Sequence, residues 1–446
     1  MTVRPVGGFR PLGCRIPAPP CATLRTVKRT LPDWLLLPGA LAFVVSLGSY
    51  LQVARLEGPQ LDDPDIEVYV QAGAAFRHHQ HVYDLAFTAG HWPFTYPPVT
   101  LLAFDQLSRL GSTHALVALN ALTVLSLVVV CLLSLRMAGL RGRLGLAGAA
   151  LALAAGSLWL EPVQANLNDG QINMILVLLV MADFALPDGH RLRGAAIGVA
   201  TAAKLVPGIF IVYLLITRRF RDALTATGVF AALTLLGFAA DWRDSAQYWF
   251  TGMFASSGRV TQDVALGGSL DQSLHTLAAR WTGSDGVYYA LALVVAVAGF
   301  AVARAAWLRG EELLGVACTA LTGLLVSPVS WTYHYAWIVP VLVATTAVAA
   351  QVPARLRWLS AGLPGLLVLA FLAWPMQGRD EHVAAPRGLL WHLPDIEDPT
   401  TWHGVQRVVG DTYTLVSLAL LVLAALWLRR SKTAVEPAPE LAVSSV

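Results

Sequence analysis

Long apolar runs separated by short polar turns dominate this chain, and their placement predicts ten helical spans. They fall at about 34–54, 114–135, 144–160, 171–186, 222–240, 286–307, 312–328, 334–350, 356–374 and 412–429. The runs are rich in Leu, Val and Ala and lack the alternation of period two that a membrane barrel needs, so helices must satisfy the backbone in lipid. The expected fold class is all-α, a polytopic membrane protein with about ten full spans. Two stretches depart from the simple pattern. The segment 97–110 is short for a span and reads as a dipping or interfacial helix, and 193–216 is interrupted by Lys204 and Pro207. Proline breaks or kinks a helix, so the second stretch reads as two re-entrant half-helices with Lys204 near their tip.

Basic residues then orient the spans, because Lys and Arg gather on the cytoplasmic side. Arg136, Arg141 and Arg143 mark one inner turn, and Arg429, Arg430 and Lys432 mark another. Both termini are expected inside. Residues 1–33 form a basic, Pro- and Gly-rich tail expected to be disordered, 34–430 a single membrane domain, and 431–446 a second disordered tail. The first apolar run is long for a signal peptide and reads as an uncleaved span. The expected location is the plasma membrane.

Composition sharpens the class. Charged residues make up 13% of the 446 positions and hydrophobic residues 56%, about half the charge of a soluble protein. Nothing points to nucleic acid. The four cysteines, Cys14, Cys21, Cys131 and Cys318, show no metal-ligand clustering, so neither a zinc site nor a disulfide is expected. No cofactor is expected either.

On this topology the polar clusters DDPDIEVY, FTYPP, NLNDGQIN, GGSLDQSL and SPVSWTYHY all fall on the outer face, which argues for one composite site. Asp65 stands in the first cluster, four residues before Tyr69. It is either a proton acceptor for a sugar hydroxyl or one acid of a solvated loop that reaches to Pro98. Tyr96 either lines the site or only shapes the chain beside Pro97. Asn168, Asp169, Gln171 and Asn173 suit hydroxyl recognition, or Asp169 and Gly170 make a plain turn before a helix. Lys204 is the most deeply placed ionisable group and reads as a phosphate anchor or as a snorkelling lysine. His334 reads as a phosphate ligand or an aromatic-belt residue, and Gln272 as an acceptor contact. Among His78, His79, His81 and His91, consecutive histidines do not share a helix face and no carboxylate sits at a standard offset, so no metal is expected there.

Taken in order, DIEVY, VYDL, FTYPP, NDGQINMILVLL, AAKLVPGIFIVYLLITRR, DQSL and SPVSWTYHYAWIVP resemble glycosyltransferase family 87, membrane enzymes of the GT-C type known chiefly from actinobacteria. The resemblance runs from about 34 to 350. It implies sugar transfer from a polyprenyl-phosphate donor, most often mannose, to a glycolipid or glycan hydroxyl at the extracytoplasmic face. It implies Asp65 as catalytic base and Lys204 and His334 near the donor phosphate, with Tyr69, Tyr96, Asn168, Gln171, Asn173 and Gln272 around the substrate. Two positions differ from the family pattern. Thr332 and Tyr333 stand where Asp and His commonly follow Ser-Trp, and Asp271 stands where Asn commonly precedes Gln-Ser-Leu.

The alternatives are an arabinofuranosyltransferase using polyprenyl-phosphate arabinose, and a lipid or solute transporter. Broken helices and an intramembrane lysine suit a transporter, but no inverted repeat is visible.

Overall fold

The computed structural model describes residues 29–57, 65–256, 258, 268–352, 357–377, 384–396 and 398–430. Both expected terminal tails lie almost wholly outside these residues, as do Asp62 and Asp63 of the acidic cluster. The fold is all-α and multi-pass, with three two-stranded ribbons as its only named sheets among the described residues.

Every expected span coincides with a helix. Six helices are long and apolar enough to cross a membrane among the described residues, or up to seven if one bent pair counts as a span. The six are Asp33–Arg55, Gly111–Met137, Phe220–Ala240, Asp285–Trp307, Thr332–Ala349 and Thr412–Arg429. The expected spans at 144–160, 312–328 and 356–374 are helices of only 14, 15 and 15 residues, short of the roughly 20 residues that a straight crossing takes.

Three elements differ from the sequence reading. Asp65–Arg77, expected within a loop, is helix α2, which follows α1 (Leu36–Glu57). Ile66, Tyr69, Val70 and Gly73 recur at helical spacing and are all buried, a signal masked by the acids around it. Glu161–Asn168, expected as a turn, is also a helix, and it meets Asn173–Ala185 at a 119° bend. Residues 29–33, expected in the tail, are ordered: Arg29 and Thr30 pair in parallel with Leu140 and Arg141.

α2 packs on the short helix α3 (Leu101–Ser108), the element expected to dip or lie at the interface. A side chain at Gly73 would stand 2.1 Å from the Phe104 carbonyl oxygen, so only glycine permits this approach. Tyr69 stacks on Phe104 at 4.5 Å, and Arg77 donates to Asp105 at 2.6 Å. The segment broken at Lys204 is two helices, Ala195–Ala203 and Ile209–Ile216. Lys204 has extended φ and ψ at the end of the first, and Pro207 is the second residue of the 3₁₀ turn Val206–Gly208 that leads into the second.

Candidate active site

The residues from four distant stretches meet around one cavity of about 640 Å³. Asp65 is the first residue of α2, where an acid suits the helix dipole. The amide N–H of Ile66 donates to the Asp169 carbonyl at 3.1 Å, which ties the start of α2 to the bend between the two helices Glu161–Asn168 and Asn173–Ala185. Gly170 makes that bend with φ +65°, and a side chain there would meet Ile66 Cβ at 2.8 Å.

Gln171 leaves this turn pointing at Asp65. Its Nε2 donates to Asp65 Oδ2, while its Oε1 accepts from Tyr69 at 3.2 Å, Tyr96 at 3.1 Å and Asn173 at 3.2 Å. Asn173 and whichever tyrosine hydroxyl does not donate to the other converge on that oxygen, which fixes which way round the carboxamide lies. The hydroxyls of Tyr69 and Tyr96 are 2.6 Å apart, and Tyr96 is held by Tyr83, whose hydroxyl donates to its carbonyl at 2.6 Å. Burial pushes the Asp65 carboxyl above the usual carboxylate range, while the Gln171 hydrogen bond and the Lys204 charge oppose it.

Lys204 enters from the break between its two helices. Its ammonium donates to Asn173 Oδ1 at 3.0 Å and Tyr96 at 3.3 Å, and lies 3.0 Å from His334 Nε2. It also sits over the rings of Tyr96 and Tyr333, at 5.1 and 5.8 Å. An ammonium only donates, so His334 Nε2 accepts and the neutral ring keeps its proton on Nδ1. Among the described residues Lys204 has no carboxylate within ion-pair distance. Leu205, Val206, Ile209, Val326 and Val329 give the cavity an apolar wall beside the lysine.

Of the residues singled out in the sequence, Asp65, Tyr69, Tyr96, Gln171, Lys204 and His334 line the cavity. Asn173 stands behind them and orients Lys204. Asn168 is held elsewhere, accepting from Tyr50 at 3.1 Å.

Gln272 does not face the cavity: it is fully buried, and its carboxamide donates to the Ser269 and Gly410 carbonyls and accepts from the Tyr413 amide. Those bonds occupy the groups that a substrate would need. Asp271 is structural in the same way, accepting from Ser330 N at 2.8 Å and Thr276 Oγ1 at 2.6 Å. It thereby fastens the loop at 268–273 to the strand of chain leading to His334.

Asp169 and Tyr333 line the cavity and were not singled out as site residues. The sequence did carry their signals: Asp169 read either as a hydroxyl-binding side chain or as part of a turn, and Tyr333 as one of several belt aromatics. The histidines His78, His79 and His91 are exposed, with His79 and His91 in left-handed turn conformations. His81 lies 3.6 Å from Asp244 instead.

Comparison with known proteins places this geometry in a family. Residues 94–328 match the model of glycosyltransferase family 87. The chain is 32% identical over 356 residues to a polyprenol-phosphate-mannose-dependent alpha-(1-2)-phosphatidylinositol mannoside mannosyltransferase of Mycobacterium tuberculosis, covering 75% of this chain and 76% of that one. The protein of the same description from Mycolicibacterium smegmatis is 33% identical over 316 residues, covering 64% and 70%. A Mycobacterium tuberculosis enzyme described as acting on the pentamannoside is 30% identical over 310 residues, covering 68% and 70%. No solved structure matches the chain. The family model spans more than half of the sequence and includes the cavity's Tyr96, Gln171 and Lys204, and this chain belongs to glycosyltransferase family 87.

Proposed function

We propose that this enzyme transfers mannose from polyprenyl-phosphate mannose to a hydroxyl of a phosphatidylinositol mannoside at the extracytoplasmic face, with inversion. The donor and acceptor follow the names of the relatives. The observation that carries the reading is the pairing of Asp65 and Lys204 across a single cavity with an apolar wall.

Each part has a chemical task. Asp65 takes the proton of the acceptor hydroxyl as its oxygen attacks the anomeric carbon. The bond from that carbon to the donor phosphate breaks, and its electron pair leaves with the phosphate. A phosphate needs no protonation on leaving, so the site requires a cation rather than an acid on that side. Lys204 supplies it: among the described residues its hydrogen-bond partners are all neutral, Asp65 acts on it only through space, and the donor phosphate provides a direct counter-charge. His334 shares that position. Leu205, Val206 and Ile209 offer the isoprenoid tail a route beside the phosphate. Attack from the face opposite the leaving group turns a β-linked donor into an α-linked product, by analogy with inverting hydrolases.

The test is transfer in proteoliposomes from labelled polyprenyl-phosphate mannose and, separately, polyprenyl-phosphate arabinose to phosphatidylinositol mannoside. Label entering the glycolipid from mannose alone supports the reading. Transfer from arabinose alone, or movement of lipid without transfer, overturns it.

A further inference from the structure

Asp169 is the cavity's second acid, and the assignments above give it nothing to do. It closes the helix Glu161–Asn168 at its C-terminal end, where a negative charge is unfavourable to the helix dipole. No backbone amide of the following helix donates to its side chain, and among the described residues neither does any hydroxyl, amide or cation. The charges that reach it most strongly are Asp65 and Glu161, both acidic, opposed by Arg387. Its carboxylate therefore does not serve the fold as a cap or an ion pair, yet it lines the cavity within the turn that sets Gln171 on Asp65.

A partly buried carboxylate without donors calls for hydroxyls from outside. The cation side of the cavity, at Lys204 and His334, suits the donor phosphate and would be weakened by a neighbouring anion. The acidic side adjoins Asp65, which on the reading above acts on the acceptor. We propose that the Asp169 carboxylate grips two adjacent hydroxyls of the acceptor sugar, one on each oxygen, and so selects acceptors with a vicinal diol beside the reacting oxygen. This rests on the proposed reading of the cavity as a sugar-transfer site.

The test is a cycle of protein variant against acceptor. Wild type and Asp169→Asn are assayed with polyprenyl-phosphate mannose and an alkyl α-mannoside, then with forms of that mannoside lacking one ring hydroxyl at a time. The proposal expects two deoxy acceptors to lose about tenfold or more in kcat/KM with wild type, and less than about threefold with Asp169→Asn. Equal penalties in both proteins for every deoxy acceptor would overturn it. Asp169→Glu, which keeps the charge but moves it by one methylene, is read by the same cycle should the Asn variant not fold, and is expected to blunt the two penalties as well. Asp65→Asn separates the two ideas: if it turns over normally while the cycle holds, the base assignment fails and the grip stands; if it is dead and the penalties are equal, the reverse is true.

Discussion

The ammonium of Lys204 lies 3.0 Å from Nε2 of His334, although 130 positions separate them in the chain. The contact joins the break after Ala203 to the 3₁₀ segment Thr332–Trp337, two places where the chain departs from α-helix. Such backbone survives at depth only around a cavity or inside protein. Both segments are spent on the same corner of the cavity.

Lys204→Met should therefore cripple use of the donor. Loss of a charged hydrogen-bonding group of this kind costs about 1.5–3 kcal/mol, or roughly 10- to 150-fold in kcat/KM for polyprenyl-phosphate mannose. Lys204→Arg should not restore it, because a planar guanidinium cannot reproduce three convergent bonds from a single nitrogen. Steady-state kinetics at varied donor concentration measures both.

Gln171→Leu should move the acid side of the pH–rate profile. Asp65 must be ionised to take a proton, so activity falls as pH drops through its pKa. Burial already raises that pKa and the Gln171 hydrogen bond lowers it. Removing the donor leaves burial less opposed, so the pKa climbs further and the acid limb shifts to higher pH. A profile of kcat for wild type and variant between mildly acidic and neutral pH reads the shift; a limb moving the other way would show that Gln171 does not stabilise the ionised carboxylate.

Gly170→Ala should harm both fold and turnover. The left-handed conformation costs a residue with a side chain about 1–2 kcal/mol, and the new methyl would press on Ile66 at the start of α2. Relief by shifting α2 carries Asp65 away from Gln171. The variant should melt several degrees lower in detergent and lose more activity than its stability alone explains.

Gln272→Ala should act on stability. The carboxamide is buried on backbone partners, and truncation leaves the Ser269 carbonyl and the Tyr413 amide without it at a cost of about 1–3 kcal/mol. The melting temperature should fall while KM for donor and acceptor holds in the folded fraction; a rise in acceptor KM alone would restore Gln272 to the site.

Much of this arrangement was legible in the chain because apolar length and proline leave a strong signature. A helix at each expected span position and the break at Lys204 followed from hydropathy and from Pro207, although only six or seven of those helices are long and apolar enough to cross a membrane. The hidden parts have a common cause: these helices are short, and polar residues flank or share their buried faces, as Glu161, Gln164 and Asn166 do. α2 read as an acidic loop for that reason, and Glu161–Asn168, with a buried glutamate at its start, read as a turn. Within the site, residue type alone did not tell Gln171 from Gln272. Both are buried glutamines beside a turn, but one carboxamide spans side chains of the cavity and the other is consumed by backbone. Only the fold decides which backbone is near.

The most direct test of the account is single-turnover transfer by Asp65→Asn with labelled polyprenyl-phosphate mannose and saturating phosphatidylinositol mannoside in proteoliposomes. The substitution keeps the shape of the side chain and removes its ability to accept a proton. Loss of a general base typically costs about 10²- to 10⁴-fold, so the transfer rate should fall by at least about a hundredfold while donor binding persists. A rate within about threefold of wild type would contradict the assignment of Asp65 as the base.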